Sequence, residues 1–228
     1  MFSMRPYPVM LNLENKRAIV IGGGRVALRK TLGLLESGAK VAVISPKLVR
    51  EMVQLKDESR VDWVESPFND EALDQFPDAV LIFGTTDNRE TNLEIYEAAN
   101  KRKVPCNIAD VPDLCSFIVP AVISQGDLII SVSTGGSSPA LARRIREELE
   151  KQFGPEYGRM TRLMGELRKH VLNVGTDSDK NRKLFSELVD SELLAALRES
   201  DTKRALKILK EILPKDIDID GAIAENRL

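Results

Sequence analysis

Three glycines follow a short apolar run near the start of the chain, and their spacing is typical of a loop that binds a dinucleotide. The run Arg17–Ile21 leads into Gly22-x-Gly24-x-x-Ala27, and a helical pattern follows. Glycines allow a tight turn and a close approach of the backbone to a pyrophosphate, and a small third residue lets helix and strand pack closely. The following helix then points its N-terminal N–H groups at the phosphates. The sequence predicts a dinucleotide here, in preference to a glycine turn without a nucleotide.

The end of the second apolar run departs from the usual dinucleotide pattern. An Asp or Glu about 20 residues after the glycines normally binds the adenosine ribose. Here the run ends in Ile44-Ser45-Pro46-Lys47. We therefore expect Ser45 or backbone groups to recognise the ribose. Because Lys47 would tolerate a 2′-phosphate, the pattern leaves the choice between NAD and NADP open.

Two further polar positions follow later strands, at the edge where open α/β sheets bind their ligands. Thr85-Thr86-Asp87 comes after the fourth predicted strand, and Asp110 comes after the last one. A carboxylate at this edge is a candidate proton acceptor. The alternatives are an ordinary strand–helix loop with Asp87 near a helix start, and an Asp110 that serves only the turn that follows it.

Apolar periodicity assigns these residues to an α/β fold. Continuous apolar strands separated by helices indicate a parallel sheet that is covered on both faces. We predict a Rossmann-type NAD-binding domain over residues 1–113. Its strands are predicted over residues 17–21, 40–44, 61–65 and 79–83, with a shorter one ending near Ile108, and its helices over residues 28–37, 46–56 and 89–102.

A change of pattern marks a second zone, over residues 114–137. Phe117–Ile123 and Leu128–Ser133 are β-type runs joined by Ser124–Asp127, which predicts a hairpin. A sheet this small cannot bury itself alone, so we expect it to pack against another sheet or another subunit. We therefore predict a small β dimerisation segment here.

A helical domain is predicted over residues 138–213, followed by a loose tail over 214–228. Ser138-Pro139 supplies an N-cap and a proline at the first helical position. Between Arg143 and Lys169 the chain has eight basic residues against five acidic ones. Such a run is either a solvated helix face or a source of Arg side chains that bind substrate carboxylates.

The composition excludes several classes of protein. Lys and Arg number 33 and Asp and Glu 35, a net charge of −2, which argues against a nucleic-acid binder. The two cysteines, Cys106 and Cys115, exclude a disulfide scaffold and a four-cysteine metal site, and with His170 they have no recognised ligand spacing. We therefore predict no metal site. No apolar run approaches 18 residues, which predicts a cytoplasmic protein without a membrane span.

Several short stretches together resemble the precorrin-2 dehydrogenase/sirohydrochlorin ferrochelatase family, whose domain is also the N-terminal half of siroheme synthase. The resemblance covers about residues 5–170 in consistent order and spacing, and we expect no methyltransferase half in this chain. The stretches are Pro8-Val9-x-Leu11-x-Leu13 leading to Gly22-Gly23-Gly24-x-Val26-Ala27-x-Arg29-Lys30, then Cys106-Asn107-x-x-Asp110, then Ser116-Phe117-Ile118-x-Pro120, then Ser133-Thr134-Gly135-Gly136-x-Ser138-Pro139-x-Leu141-Ala142-Arg143.

The resemblance implies a reaction and a set of partners. The family oxidises the tetrapyrrole precorrin-2 with NAD⁺ to sirohydrochlorin, and many members then insert Fe²⁺, or Co²⁺, into the product. The resemblance also implies a homodimer formed through the middle β segment. A dehydrogenase without chelatase activity and a non-catalytic NAD(H)-sensing module remain open as alternatives.

The resemblance also implies roles for individual residues. The catalytic aspartate maps onto Asp110, and Thr134 stands where fused enzymes can carry a phosphorylatable serine, which leaves its phosphorylation open. The NAD contacts map onto Arg25, Val26, Pro46 and Lys47, with Thr85, Thr86 and Asp87 nearby.

Overall fold

The chain folds into two compact units. The computed structural model describes residues 6–173 and 178–215, together with Ile217 and Ile219. The first unit extends to Val119 and the second begins at Pro120. Among the described residues, no helix is both long enough and apolar enough to cross a membrane.

The first unit contains a five-stranded parallel sheet with the strand order β3-β2-β1-β4-β5. This confirms the predicted α/β fold with a Rossmann-type sheet, and the strand bounds agree with the prediction to within one residue. The elements are β1 (Arg17–Ile21), α1 (Arg25–Glu36), β2 (Lys40–Ile44), α2 (Arg50–Asp57), β3 (Val61–Val64), β4 (Ala79–Gly84), α3 (Arg89–Lys101) and β5 (Cys106–Ile108), with 3₁₀ turns over Asp70–Gln75 and Pro112–Leu114.

Apolar side chains cover both faces of this sheet. On one face, Val20 of β1 packs with Ala27 and Leu34 of α1. On the other face, Ile19 of β1 packs with Ile95 of α3. Burial on both sides explains why the strands read as unbroken apolar runs rather than as alternating ones. The loops with the polar candidate residues follow β1, β2, β4 and β5 and therefore lie at the carboxyl edge of the sheet.

Two helices begin at different residues from those predicted. α1 starts at Arg25 because Gly24 is its N-cap, with the Leu28 N–H donating to the Gly24 carbonyl at 3.0 Å. α2 starts only at Arg50, because the Val49 N–H donates to the Gly23 carbonyl at 2.8 Å and keeps the chain extended. Apolar periodicity carries no information about either contact.

The boundary between the units lies beyond the predicted end of the first domain at residue 113. The segment that follows residue 113 belongs to the first unit, because it is fastened to the sheet. The Asn107 Nδ2 donates to the Phe117 carbonyl at 2.8 Å, and the Phe117 ring packs edge-on against Phe83 with 5.4 Å between centroids.

The second unit combines an antiparallel hairpin with helices, as predicted. The first strand starts at Ala121 rather than at Phe117, because Phe117 packs in the first unit and Pro120 has no N–H for a ladder. The elements are β6 (Ala121–Gln125), β7 (Leu128–Val132), α4 (Pro139–Gln152), α5 (Pro155–Asn173), α6 (Ser178–Asp190), α7 (Leu193–Glu199) and α8 (Thr202–Ile212).

The hairpin packs on helices of its own unit. A Cβ at Gly158 of α5 would lie 2.8 Å from the Gln125 carbonyl oxygen, so this helix and the hairpin approach closely. Helices of the same chain therefore cover part of the hairpin, and the expectation that another sheet or subunit packs against it stays a prediction. Val122 and Ile129 nevertheless remain 43% and 51% exposed.

Helices α5, α6, α7 and α8 share one apolar core, which includes the fully buried Leu163, Leu193 and Leu209. Ile217 and Ile219 are also buried in this core. The predicted loose tail from Pro214 is wrong at these two positions, because their side chains complete the helical core. The rest of that segment beyond Lys215 lies outside the described residues.

Two glycines of α5 give a matched test of the hairpin–helix packing. Gly158→Ala should lower the free energy of unfolding by about 1–3 kcal/mol, because its Cβ meets the Gln125 backbone at 2.8 Å. A Cβ at Gly165 would meet nothing within 4 Å. Gly165→Ala should therefore raise the free energy of unfolding by about 0.5–1 kcal/mol, because alanine has the higher helix propensity. Urea unfolding followed by circular dichroism measures both. Equal effects of the same sign would contradict this packing.

Candidate functional site

The loops after β1, β2 and β4 interlock at the carboxyl edge of the sheet. Gly22 has φ +115°, and a Cβ there would lie 2.5 Å from the Thr85 Oγ1. A Cβ at Gly23 would lie 1.9 Å from the Lys47 carbonyl oxygen. The Thr85 N–H and hydroxyl both donate to the Ile21 carbonyl at 2.8 Å. The first two glycines are therefore required because neighbouring loops fill the space a side chain needs.

Gly24 is different, because a Cβ at this position would meet nothing within 4 Å. Its backbone is extended at the N-cap of α1, no side chain in the described part of the chain caps that helix, and its first turn contains no acidic residue. The first N–H groups of an α-helix have no partner within the helix and attract anions. Arg25 is exposed at the first helical position. Open space, N–H donors and positive charge together fit a pyrophosphate.

The turn after β2 is built around Ser45. The Ser45 side chain is 5% exposed and its hydroxyl donates to the Lys47 carbonyl at 2.7 Å. The Trp63 indole N–H donates to the Ser45 carbonyl at 2.9 Å. The single hydroxyl proton of Ser45 is thus used inside the turn. Pro46 and Lys47 are the exposed residues at this end of the site.

The loop after β4 is organised by side-chain hydrogen bonds. The Thr86 hydroxyl donates to the Asn92 Oδ1 at 2.8 Å, and the Asn92 Nδ2 donates back to the Thr86 carbonyl at 3.1 Å. Asn88 caps α3 by accepting the Thr91 N–H at 2.9 Å. The cap at this helix start is therefore Asn88, and Asp87 is exposed beside it.

Asp110 lies on the turn that leaves β5. The preceding Ala109 N–H donates to the Gly84 carbonyl at 2.8 Å, which holds this turn against the end of β4. Asp110 has φ +60°, in the left-handed region that Asp and Asn adopt more readily than other residues with a side chain. Its carboxylate is exposed. The residue thus serves the turn and also presents an ionisable group at the ligand edge.

Lys30 of α1 is a site residue that sequence reasoning did not single out. Its ammonium lies 5.4 Å from the centroid of the Phe83 ring and is half-buried. Burial lowers the pKa of Lys30, with a further lowering from Arg29, whereas the charges of Cys115 and Asp110 act in the opposite direction. The signal in the sequence was its position three residues after Ala27, which places it on the sheet-facing side of the helix.

The two thiols occupy the same end of the sheet. Burial raises the pKa of the Cys106 thiol to about 12, and Cys115 adds to this effect. Cys115 hydrogen-bonds to the turn that carries Asp110, through its contacts with Ile108 and Val111. Within the described ranges, no group of three or more His, Cys, Asp or Glu side chains is arranged to hold a metal ion.

The three arginines of α4 are paired along their own helix. Three Arg–Glu pairs at i, i+4 spacing have nitrogen–oxygen distances of 2.8–3.0 Å and lie on the surface. Exposed pairs of this kind contribute little stability, so their geometry is that of a solvated face. In the preceding loop the Thr134 Oγ1 accepts the Ser138 N–H at 3.0 Å, so this hydroxyl helps to order the start of α4. The pairs are Arg143–Glu147, Arg144–Glu148 and Arg146–Glu150.

Family comparisons match both units of the chain. Residues 9–121 match a family described as "Putative NAD(P)-binding", and residues 125–152 match the family "Sirohaem biosynthesis protein central". The first match covers the sheet with its glycine turn, and the second covers β7 and α4. The predicted nicotinamide dinucleotide cofactor is thereby confirmed.

Curated relatives cover nearly the whole of this chain. It is 34% identical to the siroheme synthase of Pseudomonas aeruginosa (strain LESB58) over 206 residues, 90% of this chain and 44% of the relative. It is 32% identical to the siroheme synthase of Thioalkalivibrio sulfidiphilus (strain HL-EbGR7) over 219 residues, 96% of this chain and 44% of the relative. The chain spans less than half the length of these relatives.

A solved structure shares the fold. The structure of "SirC, precorrin-2 dehydrogenase" superposes with a TM-score of 0.76 at 24% identity, covering 91% of this chain and 98% of that one. The family matches, the relatives and the shared fold all agree with the motifs from Gly22 to Arg143. The chain belongs to the family of siroheme-biosynthesis proteins that share this NAD(P)-binding domain and central segment with siroheme synthase.

Proposed function

We propose that the chain is an NAD-dependent dehydrogenase of siroheme biosynthesis that oxidises precorrin-2 to sirohydrochlorin. The observation that carries this proposal is the position of Asp110. Its exposed carboxylate stands on a left-handed turn at the same sheet edge as the glycine turn. Relatives that are siroheme synthases support the choice of a reduced tetrapyrrole as substrate.

We assign the dinucleotide to the carboxyl edge of β1, β2 and β4. The backbone of Gly24, Arg25 and Val26 would hold the pyrophosphate, with Gly22 keeping the turn tight. The adenosine end would lie against Pro46 and Lys47, where Ser45 shapes the turn from inside. The remaining residues assigned to the site are Thr85, Thr86 and Asp87 in the loop after β4.

We infer NAD rather than NADP from the reaction of the family. The exposed Lys47 would not repel a 2′-phosphate, so a direct comparison of the two cofactors at equal concentration is the decisive measurement. NAD⁺, when bound, accepts a hydride from the substrate. The protein must then provide a base for the accompanying proton.

Asp110 is proposed as that base. One of its carboxylate oxygens would take the proton that the macrocycle loses, as positioned carboxylates do in general base catalysis. The charge of the Asp110 carboxylate acts to raise the pKa of the Lys30 ammonium, so the two groups interact electrostatically. Both residues belong to the first unit.

Insertion of Fe²⁺, or Co²⁺, into sirohydrochlorin is proposed as a second reaction of the same site. Metal insertion releases the protons of two pyrrole nitrogens, and the exposed Asp110 carboxylate is placed to accept them one after the other. The metal is a substrate here. The assay that separates the two steps adds Fe²⁺ only after the oxidation has finished, and it follows siroheme formation by absorbance.

A test of the cofactor site uses two glycines of the α1 segment. Gly24→Val should fold, because its position is open and its φ of −85° suits any residue. It should weaken NAD⁺ binding by about tenfold or more, since the side chain enters the space of the pyrophosphate. Gly33→Ala, also with nothing within 4 Å but two turns away, is the control. Calorimetric titration measures both, and unchanged affinity in Gly24→Val would place the pyrophosphate elsewhere.

A test of the base uses Asp110→Asn. Asparagine tolerates the left-handed conformation and keeps the size of the side chain, but it cannot accept a proton. Turnover of precorrin-2 with NAD⁺ should fall by about 10²-fold or more while NAD⁺ binding persists. Asp113→Asn, an exposed neighbour on the next turn, should stay near the wild-type rate. Near-normal turnover in Asp110→Asn would show that this residue serves only the turn.

Wild-type protein that binds NAD⁺ without oxidising precorrin-2 would favour the alternative of a non-catalytic NAD(H)-sensing module.

A homodimer through the hairpin is proposed from its exposed apolar residues. Val122 and Ile129 stay 43% and 51% exposed although the hairpin packs on its own helices. A second copy of the chain would cover them, since exposed β-branched side chains on a short sheet favour association. Ile129→Asp should therefore shift the protein to a monomer in sedimentation velocity at micromolar concentration. Val189→Asp, exposed on α6, should leave the sedimentation coefficient unchanged. A wild-type monomer would contradict the proposal.

A further inference from the structure

The Cys115 thiol lies beneath the turn that carries Asp110. Its sulfur accepts the Ile108 N–H at 3.3 Å. Its S–H group faces two carbonyl oxygens, that of Ile108 at 3.2 Å and that of Val111 at 3.3 Å. Ile108 and Val111 bracket the turn, so one side chain connects the backbone before Asp110 with the backbone after it.

The chain around Cys115 is itself fastened to β5. The Ser116 N–H donates to the Cys106 carbonyl at 2.8 Å, and the Ser116 hydroxyl accepts the Cys106 N–H at 2.7 Å. The Asn107 Nδ2 lies 3.6 Å from the Cys115 sulfur. These contacts hold the thiol in place relative to β5. The turn is therefore hydrogen-bonded to a side chain whose own position is fixed.

The turn needs such a tie because of its backbone conformation. The φ of +60° at Asp110 is less favourable for a residue with a side chain than the right-handed region. Besides the thiol, the turn is closed by the Val111 N–H, which donates to the Ile108 carbonyl at the long distance of 3.3 Å. The Ala109 N–H, which donates to the Gly84 carbonyl at 2.8 Å, holds the residue before Asp110, and the Cys115 thiol adds contacts to the carbonyl groups on both sides of Asp110.

We propose that Cys115 is a positioning residue whose thiol fixes the turn over residues 108–111 and thereby the direction of the Asp110 carboxylate. The proposal rests on the proposed function, in which Asp110 is the base. The thiol acts in its protonated form, as a donor to carbonyl oxygens and an acceptor of an N–H. Burial raises the pKa of the Cys115 thiol, which keeps the S–H group present at neutral pH.

The first experiment compares Cys115→Ser, Cys115→Ala and Cys115→Val in the precorrin-2 oxidation assay. Serine keeps a donor and an acceptor at this position, alanine removes both, and valine fills the volume without hydrogen bonds. We expect kcat to fall by about tenfold or more in the alanine and valine variants, because a misplaced catalytic group is costly. The KM for NAD⁺ and for precorrin-2 should change by less than about twofold. Serine should recover most of kcat, and Cys106→Ala, which removes the other thiol, should stay near the wild-type rate.

The second experiment tests whether the effect passes through Asp110. In the Asp110→Asn background, Cys115→Ala should lower kcat no further, because two residues that act as one unit are not additive. A multiplicative loss would overturn the proposal. So would a wild-type kcat in both the alanine and valine variants, or a serine variant no faster than valine. If the alanine variant does not fold, the comparison of serine with valine decides the question alone.

The third experiment does not depend on the reaction. Amide hydrogen exchange at residues 108–111 should be faster in Cys115→Val than in the wild type and in Cys115→Ser, since Ile108 and the turn lose their tie to the sulfur. Unchanged exchange would overturn the proposal even if kcat fell. If the wild type does not oxidise precorrin-2 but exchange in Cys115→Val is faster as expected, the proposed function is overturned. The hydrogen bonds of Cys115 to the turn would then still be established.

Discussion

The close contact of three loops at the carboxyl edge of the sheet is the constraint on which the site depends. The Gly23 backbone lies directly against the Lys47 carbonyl, and the Ile21 carbonyl accepts two hydrogen bonds from Thr85. No side chain fits between these loops, so close packing fixes their relative positions. The space over Gly24 stays open beside these filled positions. The proposed dinucleotide site is thus a gap that the packing of the loops leaves.

The sequence was sufficient for the parts of the fold that repeat a local pattern. β1 and β2 have the predicted bounds because burial on both faces gives an unbroken apolar run that glycine or a polar turn ends. The glycine turn between β1 and α1 could also be predicted, because strand, glycines and helix follow one another directly in the chain. Residues that are adjacent in the sequence are also adjacent in the structure there, and under this condition a sequence motif predicts the local structure.

Other features depend on contacts that the sequence pattern does not encode. α2 begins late because Val49 bonds to Gly23, and the first unit extends beyond residue 113 because Phe117 packs on Phe83. Ser45 or backbone groups were expected to recognise the ribose, and the structure adds that the Ser45 hydroxyl donates within its own turn. Helical spacing places Lys30 on the sheet-facing side of α1, but it does not show that this side meets Phe83 of β4.

The left-handed backbone at position 110 also limits which acid the chain can use. Of the residues that enter this region readily, Gly, Asn, Asp and His, only Asp carries a carboxylate. A glutamate would bring the same charge on a longer side chain, but its backbone would resist the turn that Asp110 accepts. The backbone conformation at position 110 therefore favours Asp over Glu, although both side chains carry a carboxylate. Where a left-handed turn and a carboxylate are both required, Asp meets the two requirements at the lower conformational cost.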